Sequence, residues 1–373
     1  MAADVQVVEV TGPGPDFDAL VAVWQADECL TNPGDPPPLA ADLEALLFAS
    51  PPEFRNRAWL ATRTGEPAGG ALYEQEIDGT NDGVVQLYAM TLPAHRRTGV
   101  AWALAGPGLD ALAEAGARSV LGWTHDEAGA AFCRALGLTH RQDERCSRLR
   151  VADVDGAQQR AWIDDAPARA AGYRLVGWSG VTPDEWASET ATALDAMVDA
   201  PIDDLDWHPQ PVSGAQQQRR EAWWLRRGYE AVTTLALAPD GSPAGISQLL
   251  VSADRPEIGE QADTGVLAAH RGHALGRWLK AENLRRARER EPGLAVVQTY
   301  NAESNPHMLA INVAMGFRPH IVHGTYQGAL GSARAALDAR TAPTSTPTAS
   351  GVTSTRMTTT QGHLASGPAP GRW

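Results

Sequence analysis

The sequence predicts an α+β fold with a mixed sheet, and this fold occurs twice along the chain. Similar basic turns occur around Arg96 and Arg271, which are 175 residues apart, and similar helix-ending turns at Gly137 and Gly316, which are 179 apart. In both copies, strand-like segments precede the basic turn, and a helix, an apolar strand, a second helix and a final strand follow it. Antiparallel strands followed by alternating helices and strands are typical of a mixed sheet. Solenoid repeats of about 20–50 residues are much shorter than these copies.

The elements of each copy follow from apolar periodicity and from turn residues. Each copy opens with a helical segment, PDFDALVAVWQADECL in the first and TPDEWASETATALDAMV in the second. Three strand-like segments follow, which are RAWLATR, GGALYEQEI and GVVQLYAMTL in the first copy, and AVTTLALAP, GISQLLVSA and GEQADTGVLAA in the second. After the basic turn and its helix come the strands ARSVLGWT and LAVVQTYN, and then the helices AFCRALGL and LAINVAMGF.

These patterns divide the chain into four predicted segments. The first copy covers residues 1–151, a linker covers 152–171 and the second copy covers 172–332. Residues 333–373 are dominated by Thr, Ser, Ala, Pro and Gly. Because such a segment has few large apolar residues to offset the entropy of ordering, we predict a disordered tail.

Composition and charge exclude several classes of protein. With 43% hydrophobic and 20% charged residues, the chain fits a globular protein, and its net charge of −14 disfavours nucleic acid and anionic membranes as partners. Three cysteines without a CxxC pair argue against a disulfide scaffold and a zinc site. We see no signal peptide and no apolar run of about 18 residues. We therefore expect a cytoplasmic monomer or homodimer without a metal.

An anion-binding turn is predicted at the start of one helix in each copy. Small residues bring a ligand close to the backbone, and the free N–H groups and dipole of the first helical turn attract negative charge. The turn suits a pyrophosphate, although it is neither a GxxxxGK[ST] nor a GxGxxG motif. Its residues are Arg96, Arg97, Thr98, Gly99, Val100 and Ala101 in the first copy, and Arg271, Gly272, His273, Ala274, Leu275 and Gly276 in the second.

Both turns resemble the coenzyme A loop of the GNAT acyltransferase family. The family signature is Q/R-x-x-G-x-G/A following V-x-P-x-x. The first copy matches it at Pro93, Arg96, Gly99 and Ala101, and the second matches it at Val266, Arg271 and Gly276, with Ala268 and Ala274 at the usual proline and first glycine. The resemblance covers both copies, and the arrangement is similar to that of two-domain GNATs of the mycothiol-synthase type.

This resemblance implies an acetyl-CoA-dependent N-acyltransferase that acts on the amine of a small molecule by direct transfer. Acetyl-CoA would be the co-substrate, with its pantetheine arm beside the strand from Thr264 to Leu267, where Val266 and Leu267 are our candidate contacts. A side-chain amide after the following strand often meets the cofactor in this family. Asn301 and Asn305 both occupy that region, and Asn305 is our candidate. Asn305 precedes Pro306, so it also fits the N-cap of a helix.

The general acid is not evident. In many GNATs a tyrosine four residues before the glycine of the helix-ending turn is the acid, but Asn312 and Cys133 stand there in the two copies. Asn does not titrate, and a thiol with a pKa of about 8.5 is only an adequate donor. Tyr300 and Tyr326 are possible substitutes, and Tyr300 is our candidate.

Candidates for the general base precede the second turn. Glu260 and Asp263 lie near the strand before it, where the family commonly places a carboxylate or a water relay. Each also fits a solvated charge at a strand edge.

The second copy is the better candidate for catalysis, because its helix after the turn has no breaker and an Asn follows its strand. Trp207, Trp223 and Trp224, with nearby aspartates from Asp199 to Asp206, would suit an amine acceptor or simply form an acidic exposed loop. Two alternatives stay open, namely a non-catalytic acyl-CoA-binding or regulatory protein, and a protein N-acetyltransferase with an open groove.

Overall fold

Twelve strands form one continuous mixed sheet in the computed structural model, which describes residues 4–341 except 78, 80 and 200. The strands are β1 (Val5–Glu9), β2 (Phe54–Arg63), β3 (Glu66–Glu76), β4 (Val84–Thr91), β5 (Ser119–Thr124), β6 (Thr139–Arg150), β7 (Arg174–Ser179), β8 (Glu230–Leu237), β9 (Pro243–Val251), β10 (Ile258–Val266), β11 (Val296–Ala302) and β12 (Arg318–Ala329). Their order across the sheet is β1-β2-β3-β4-β5-β12-β6-β11-β10-β9-β8-β7. The predicted α+β class and mixed sheet are confirmed.

The helices pack on both faces of this sheet. They are α1 (Pro15–Thr31), α2 (Ala40–Phe48), α3 (Val100–Glu114), α4 (Glu127–Ala135), α5 (Gly156–Asp164), α6 (Ala166–Arg169), α7 (Ala187–Leu194), α8 (Gly214–Arg226), α9 (Leu275–Arg290), α10 (Pro306–Met315) and α11 (Leu330–Thr341). In the described part of the chain, no helix is long and apolar enough to cross a membrane.

The two copies exchange their last strands. β12, from the second copy, pairs antiparallel with β5 of the first copy, while β6, from the first copy, pairs antiparallel with β11 of the second. β6 and β12 also pair with each other at the centre of the sheet. The strands β1 to β6 of the first copy correspond in order to β7 to β12 of the second. Corresponding strands occupy the same position counted from opposite edges of the sheet. The boundaries at residues 151 and 172 remain predictions, but in space each half of the sheet takes a strand from the other copy.

The segment predicted as a linker is mostly helical. It contains α5 and α6, and α5 packs on α9 of the second copy. The Gln159 side chain donates a hydrogen bond to the Ala281 carbonyl at 2.9 Å, and the Arg277 guanidinium lies over the Trp162 ring at 5.6 Å. Residues 152–171 connect the two copies and also form part of the packing of the second.

The prediction of a disordered tail from residue 333 is wrong for its first residues, which belong to α11. Ala333 is fully buried in the first-copy core, and Leu337 packs against the same cluster. Arg334 pairs with Asp110 of α3 at 2.5 Å, and Arg340 lies over the Trp102 ring. A short run of alanines and one leucine suffices because they meet an apolar helix face. Residues 342–373 lie outside the described part of the chain.

Candidate active site

In the second copy, β10 and β11 separate part of the way along their length. Ile258–Gln261 pairs in parallel with Val296–Thr299, and the described pairing stops there. The register of β10 against β9 shifts between Gln261 and Thr264. An irregularity of this kind bends a strand and interrupts its ladder of hydrogen bonds. A slot therefore opens between the two strands beyond Gln261 and Thr299.

The equivalent opening in the first copy is filled by side chains. Val84–Leu87 of β4 pairs in parallel with Ser119–Gly122 of β5. Immediately beyond these residues, the Tyr88 and Trp123 rings meet edge to face with their centroids 4.2 Å apart. Leu205, from the second copy, packs into the cluster that includes Trp123. The slot between the strands is thus open in the second copy and filled in the first.

A segment of the second copy lies across this face of the first. Asn81 and His208 exchange two hydrogen bonds, at 2.8 and 2.9 Å. The backbone N–H of Asp206 donates to the Gln327 side chain at 2.8 Å. These contacts hold the second-copy segment against the sheet of the first copy.

The two basic turns share one backbone geometry. Two residues in each turn have positive φ, Arg97 (65°) and Gly99 (93°) in the first, Gly272 (89°) and Ala274 (57°) in the second. Among the residues that the structure describes, no side chain caps the start of α3 or α9. The N–H groups of each first helical turn are therefore left for an anion, as the sequence predicts for this motif.

The signature arginine of each turn is held by an exposed carboxylate. Arg271 pairs with Asp199 at 2.9 Å, and Arg96 pairs with Asp126 at 3.1 Å. Each guanidinium also donates to a carbonyl five residues earlier. Because both pairs are exposed, they contribute little to stability, and a phosphate can replace the carboxylate.

A cavity of about 370 Å³ lies against the open slot of the second copy. Its walls come from β10, β11, α8 and α10, and from the segment 201–212. The first copy closes it with Pro51, Glu53, Phe54, Glu76 and Glu144. This volume falls within the range of small-molecule sites in proteins.

The structure brings the three predicted catalytic residues together. Glu260, Asp263 and Tyr300 all line the cavity, as does Asn305. The residues predicted to bind the cofactor at the turn lie outside the cavity, with Arg271, Gly272 and His273 exposed. Val266 and Leu267 connect β10 to that turn.

The two candidate bases differ in their surroundings. Asp263 forms an ion pair with Arg220 at 2.8 Å, and both side chains are largely buried. Glu260 accepts a hydrogen bond from the neutral Gln298 amide at 3.1 Å. Because the Asp263 carboxylate is already paired with Arg220, Glu260 is our candidate to take a proton.

The candidate acids lie in different parts of the structure. Tyr300 lines the cavity, with its ring 6.1 Å from that of His323. Tyr326 belongs to the first-copy core, where its ring lies 5.3 Å from that of His140 and burial raises its pKa. Burial raises the pKa of Cys133, the residue at the tyrosine position of the first copy, to about 12. Tyr300 is thus the only one of these three that lines the cavity.

Two asparagines of the second copy have structural roles. The Asn305 side-chain oxygen accepts a hydrogen bond from the Met308 N–H at 3.1 Å and caps α10. Asn312 is buried, and its amide donates to the Asn301 side chain at 2.5 Å. The usual tyrosine position therefore holds a buried amide that carries no titratable proton.

The predicted aromatic and acidic lining is only partly correct. Trp207 and Trp224 line the cavity, whereas Trp223 is buried and donates to the Ala45 carbonyl at 3.0 Å. The acidic groups of the described lining are not the predicted aspartates between 199 and 206; they are Glu53, Glu76, Glu144, Glu260 and Asp263. The reason is that the segment 201–212 presents its apolar and aromatic side chains to the cavity.

Sequence reasoning missed Lys280, Arg220 and the glutamates of the first copy as lining residues. Lys280 had a visible signal, since it is the only lysine in the sequence. Arg220 stands in an ordinary polar helix, and the glutamates approach the site only because the copies share one sheet. Among the described residues, no group of three or more His, Cys, Asp or Glu side chains could hold a metal ion.

The chain is 28% identical over 275 residues to the mycothiol acetyltransferase of Nocardia farcinica, which covers 72% of this chain and 82% of that protein. A solved tandem GNAT protein from the clavulanic acid biosynthesis pathway superposes with a TM-score of 0.71 at 25% identity, over 88% of this chain and 99% of that one. A GCN5-related N-acetyltransferase from Sphaerobacter thermophilus shares the fold, with a TM-score of 0.61 at 16% identity over 87% of this chain and 96% of that one. No protein-family model matches the sequence.

Proposed function

We propose that this protein, which is a tandem GNAT N-acetyltransferase resembling mycothiol acetyltransferases, has one working centre, in its second copy. There it transfers the acetyl group of acetyl-CoA directly to the amine of a small molecule held in the cavity. The observation that carries the proposal is the open slot between β10 and β11, which leads to a cavity lined by carboxylates.

The contrast between the copies supports a single centre. An extended thioester arm needs a gap between the two parallel strands, and in the first copy Tyr88 and Trp123 fill that gap. β4 also pairs with β3 without a register shift, whereas β10 is irregular against β9. In this proposal the first copy serves as the wall of the acceptor site.

The cavity supports transfer by direct attack. An amine reaches the site as an ammonium ion, and Glu260 takes its proton so that the nitrogen lone pair can attack the thioester carbon. The Asp263–Arg220 pair positions the acceptor from the neighbouring wall. The carbon–sulfur bond then breaks, and its electron pair leaves with the CoA sulfur. The acylated nitrogen releases its remaining extra proton to water, and Glu260 returns its own proton to solvent when the product leaves.

The charge and shape of the cavity support a small cationic acceptor. Five carboxylates and two basic side chains, Arg220 and Lys280, are among the described lining residues, so the lining attracts cations. The first copy and the segment 201–212 wall the cavity, whose volume of about 370 Å³ matches a small molecule better than a protein chain. A protein acceptor is therefore disfavoured, and the carboxylates disfavour a purely regulatory role.

Acetyl transfer is tested with the purified full chain, acetyl-CoA and a panel of amines. The panel contains amino sugars, diamines, amino-acid amides and lysine-containing peptides, and mass spectrometry identifies acetylated products. Cys29 is exposed and would react with thiol reagents, so thiol release is measured in the Cys29→Ser background. We expect acetylation of small amines in preference to peptides. Tight acetyl-CoA binding without transfer to any amine would favour the regulatory alternative, and preferred peptide acetylation would favour the protein acetyltransferase.

The two signature arginines should contribute unequally to acetyl-CoA binding. Arg271→Glu places a carboxylate against the pyrophosphate and should weaken binding more than tenfold, or by more than about 1.4 kcal/mol. Arg96→Glu is the matched control, because both arginines are exposed and paired with an aspartate. Calorimetry with acetyl-CoA measures both. Unchanged affinity in Arg271→Glu contradicts the second-copy centre, and equal losses in the two variants would mean that both turns bind.

The state of the cysteines supports the cytoplasm as the compartment. Cys29, Cys133 and Cys146 are all free thiols, and the last two are buried. Free thiols are typical of reducing compartments.

A further inference from the structure

The only lysine of the chain lies in the catalytic cavity. Of the 31 basic residues, Lys280 alone is not arginine. It stands in α9, five residues after the helix begins, and is 1% exposed while lining the cavity. The one amine side chain of this sequence therefore lies at this position.

The positive charge of the Lys280 ammonium has no carboxylate to stabilise it among the described residues. Its Nζ lies over the Phe317 ring at 5.4 Å from the ring centroid. Burial lowers its pKa to about 7. The amine therefore exists in both protonation states at neutral pH.

Strand alternation places neutral groups on the side of the sheet that faces α9. On β9, the side chains that face α9 include Leu249 and Ser247. Their cross-strand partners on β10, Gln261 and Thr264, share this face, and so does Thr299 of β11, which pairs with Gln261. On these strands, the titratable lining groups lie on the opposite, acceptor side: Glu260 and Asp263 of β10, Tyr300 of β11 and Glu144 of β6. Arg220 of α8 and Glu53 and Glu76 of the first copy line the cavity as well. From α10, the buried residues are Ile311, Asn312 and Met315, none of which is charged. On α9 itself, Arg277 lies over Trp162, and Glu282 is paired with Arg285 and Arg286.

Lys280 lines the same cavity as the residues at the closed end of the slot. Gln261 and Thr299 are the last paired residues of β10 and β11, and both line the cavity together with Lys280. One helical turn earlier, Gly276 leaves room beside Ile311 of α10 and Val266 of β10. The face of α9 from Gly276 to Lys280 thus follows the path from the anion-binding turn to the point where the strands meet.

On the basis of the acetyl transfer proposed above, we propose that Lys280 is the general acid that protonates the departing CoA sulfur. As the acceptor nitrogen–carbon bond forms and the carbon–sulfur bond breaks, the electron pair goes to sulfur, and the Lys280 ammonium gives its proton to that thiolate. Neutral Lys280 regains a proton from solvent once CoA has left. Arginine could not do this, because its guanidinium does not release a proton in proteins.

The test is the acidity of the thiol of bound CoA, which requires no acceptor. Calorimetry first establishes that CoA binds to the wild type, Lys280→Met and Lys280→Arg. Thiolate absorbance near 240 nm is then titrated as the difference between loaded and unloaded protein, so that the three cysteines cancel. A cation within about 4–6 Å should make the bound thiol at least tenfold more acidic in the wild type than in Lys280→Met. Lys280→Arg keeps the charge and should keep the acidic thiol.

Equal thiol acidity in the wild type and Lys280→Met overturns the role of Lys280 while leaving acetyl transfer intact. Failure of the wild type to bind CoA overturns the proposed function and this inference with it. If Lys280→Met does not fold, wild-type protein labelled with [ε-13C]lysine answers the question, because it gives a single lysine signal. We expect that signal to titrate near neutrality and to shift its midpoint upward when CoA is bound. A midpoint that does not move with CoA contradicts the proposal.

Discussion

Replacing Glu260 by glutamine should lower kcat for amine acetylation about 10²–10⁴-fold at pH 7, or by about 3–5 kcal/mol of transition-state stabilisation. An alkyl amine with a pKa of about 10.4 is almost entirely protonated at that pH, so removing its proton is part of the barrier. The amide of Gln298, which donates to Glu260 at 3.1 Å, can also donate to the side-chain oxygen of a glutamine at this position, so this hydrogen bond is preserved. The KM for acetyl-CoA should therefore change little.

The pH dependence separates the loss of a base from a loss of structure. Each pH unit raises the fraction of free amine about tenfold below its pKa, so the gap between Glu260→Gln and the wild type should narrow toward pH 10. Glu257→Gln is the matched control, since Glu257 is exposed three residues earlier. Steady-state kinetics from pH 6 to 10 measure kcat for the wild type and both variants. A variant as active as the wild type at pH 7 would rule out Glu260 as the base.

The Ala333→Asp variant should lose about 3 kcal/mol of its free energy of unfolding. Ala333 is fully buried between α11 and the first-copy core, so an aspartate there is a buried charge without a partner. Ala335→Asp makes the same change two residues later on the exposed side of α11 and should lie within about 0.5 kcal/mol of the wild type.

Denaturant unfolding followed by tryptophan fluorescence measures both changes. Trp102, under Arg340 of α11, reports on the same contact. Equal stability of the two variants would show that α11 does not dock on α3. Activity below the unfolding transition should be the same in both variants, because α11 does not line the cavity.

Much of the fold was predictable because its signals are local. The alternating apolar strands, the glycines of the turns and the Asn305–Pro306 helix start each act within a few residues, and the structure places them accordingly. The repeat offset also identified the two copies. The helix α11 was missed because its few apolar residues gain their stability from α3, more than two hundred residues away in the chain.

The candidate site was predictable only for residues on its own strand and helix. Glu260 and Asp263 stand on the strand before the recognisable turn, Tyr300 stands on the strand after its helix, and the cavity does contain all three. Glu53 and Glu144 come from the first copy and reach the site through pairing that no short segment specifies. That pairing joins strands that are far apart in the sequence, and neither composition nor periodicity predicts such an exchange of strands.

The exchange of β6 and β12 also bears on how the molecule unfolds. If either copy unravelled alone, it would withdraw a central strand from its neighbour and leave unpaired strand edges at the centre of the sheet. The two halves therefore form one cooperative unit, in the way that the subunits of an obligate dimer do, although a single chain carries both. The first copy, in which side chains fill the equivalent slot, therefore also stabilises the second copy, in which the slot between β10 and β11 is open.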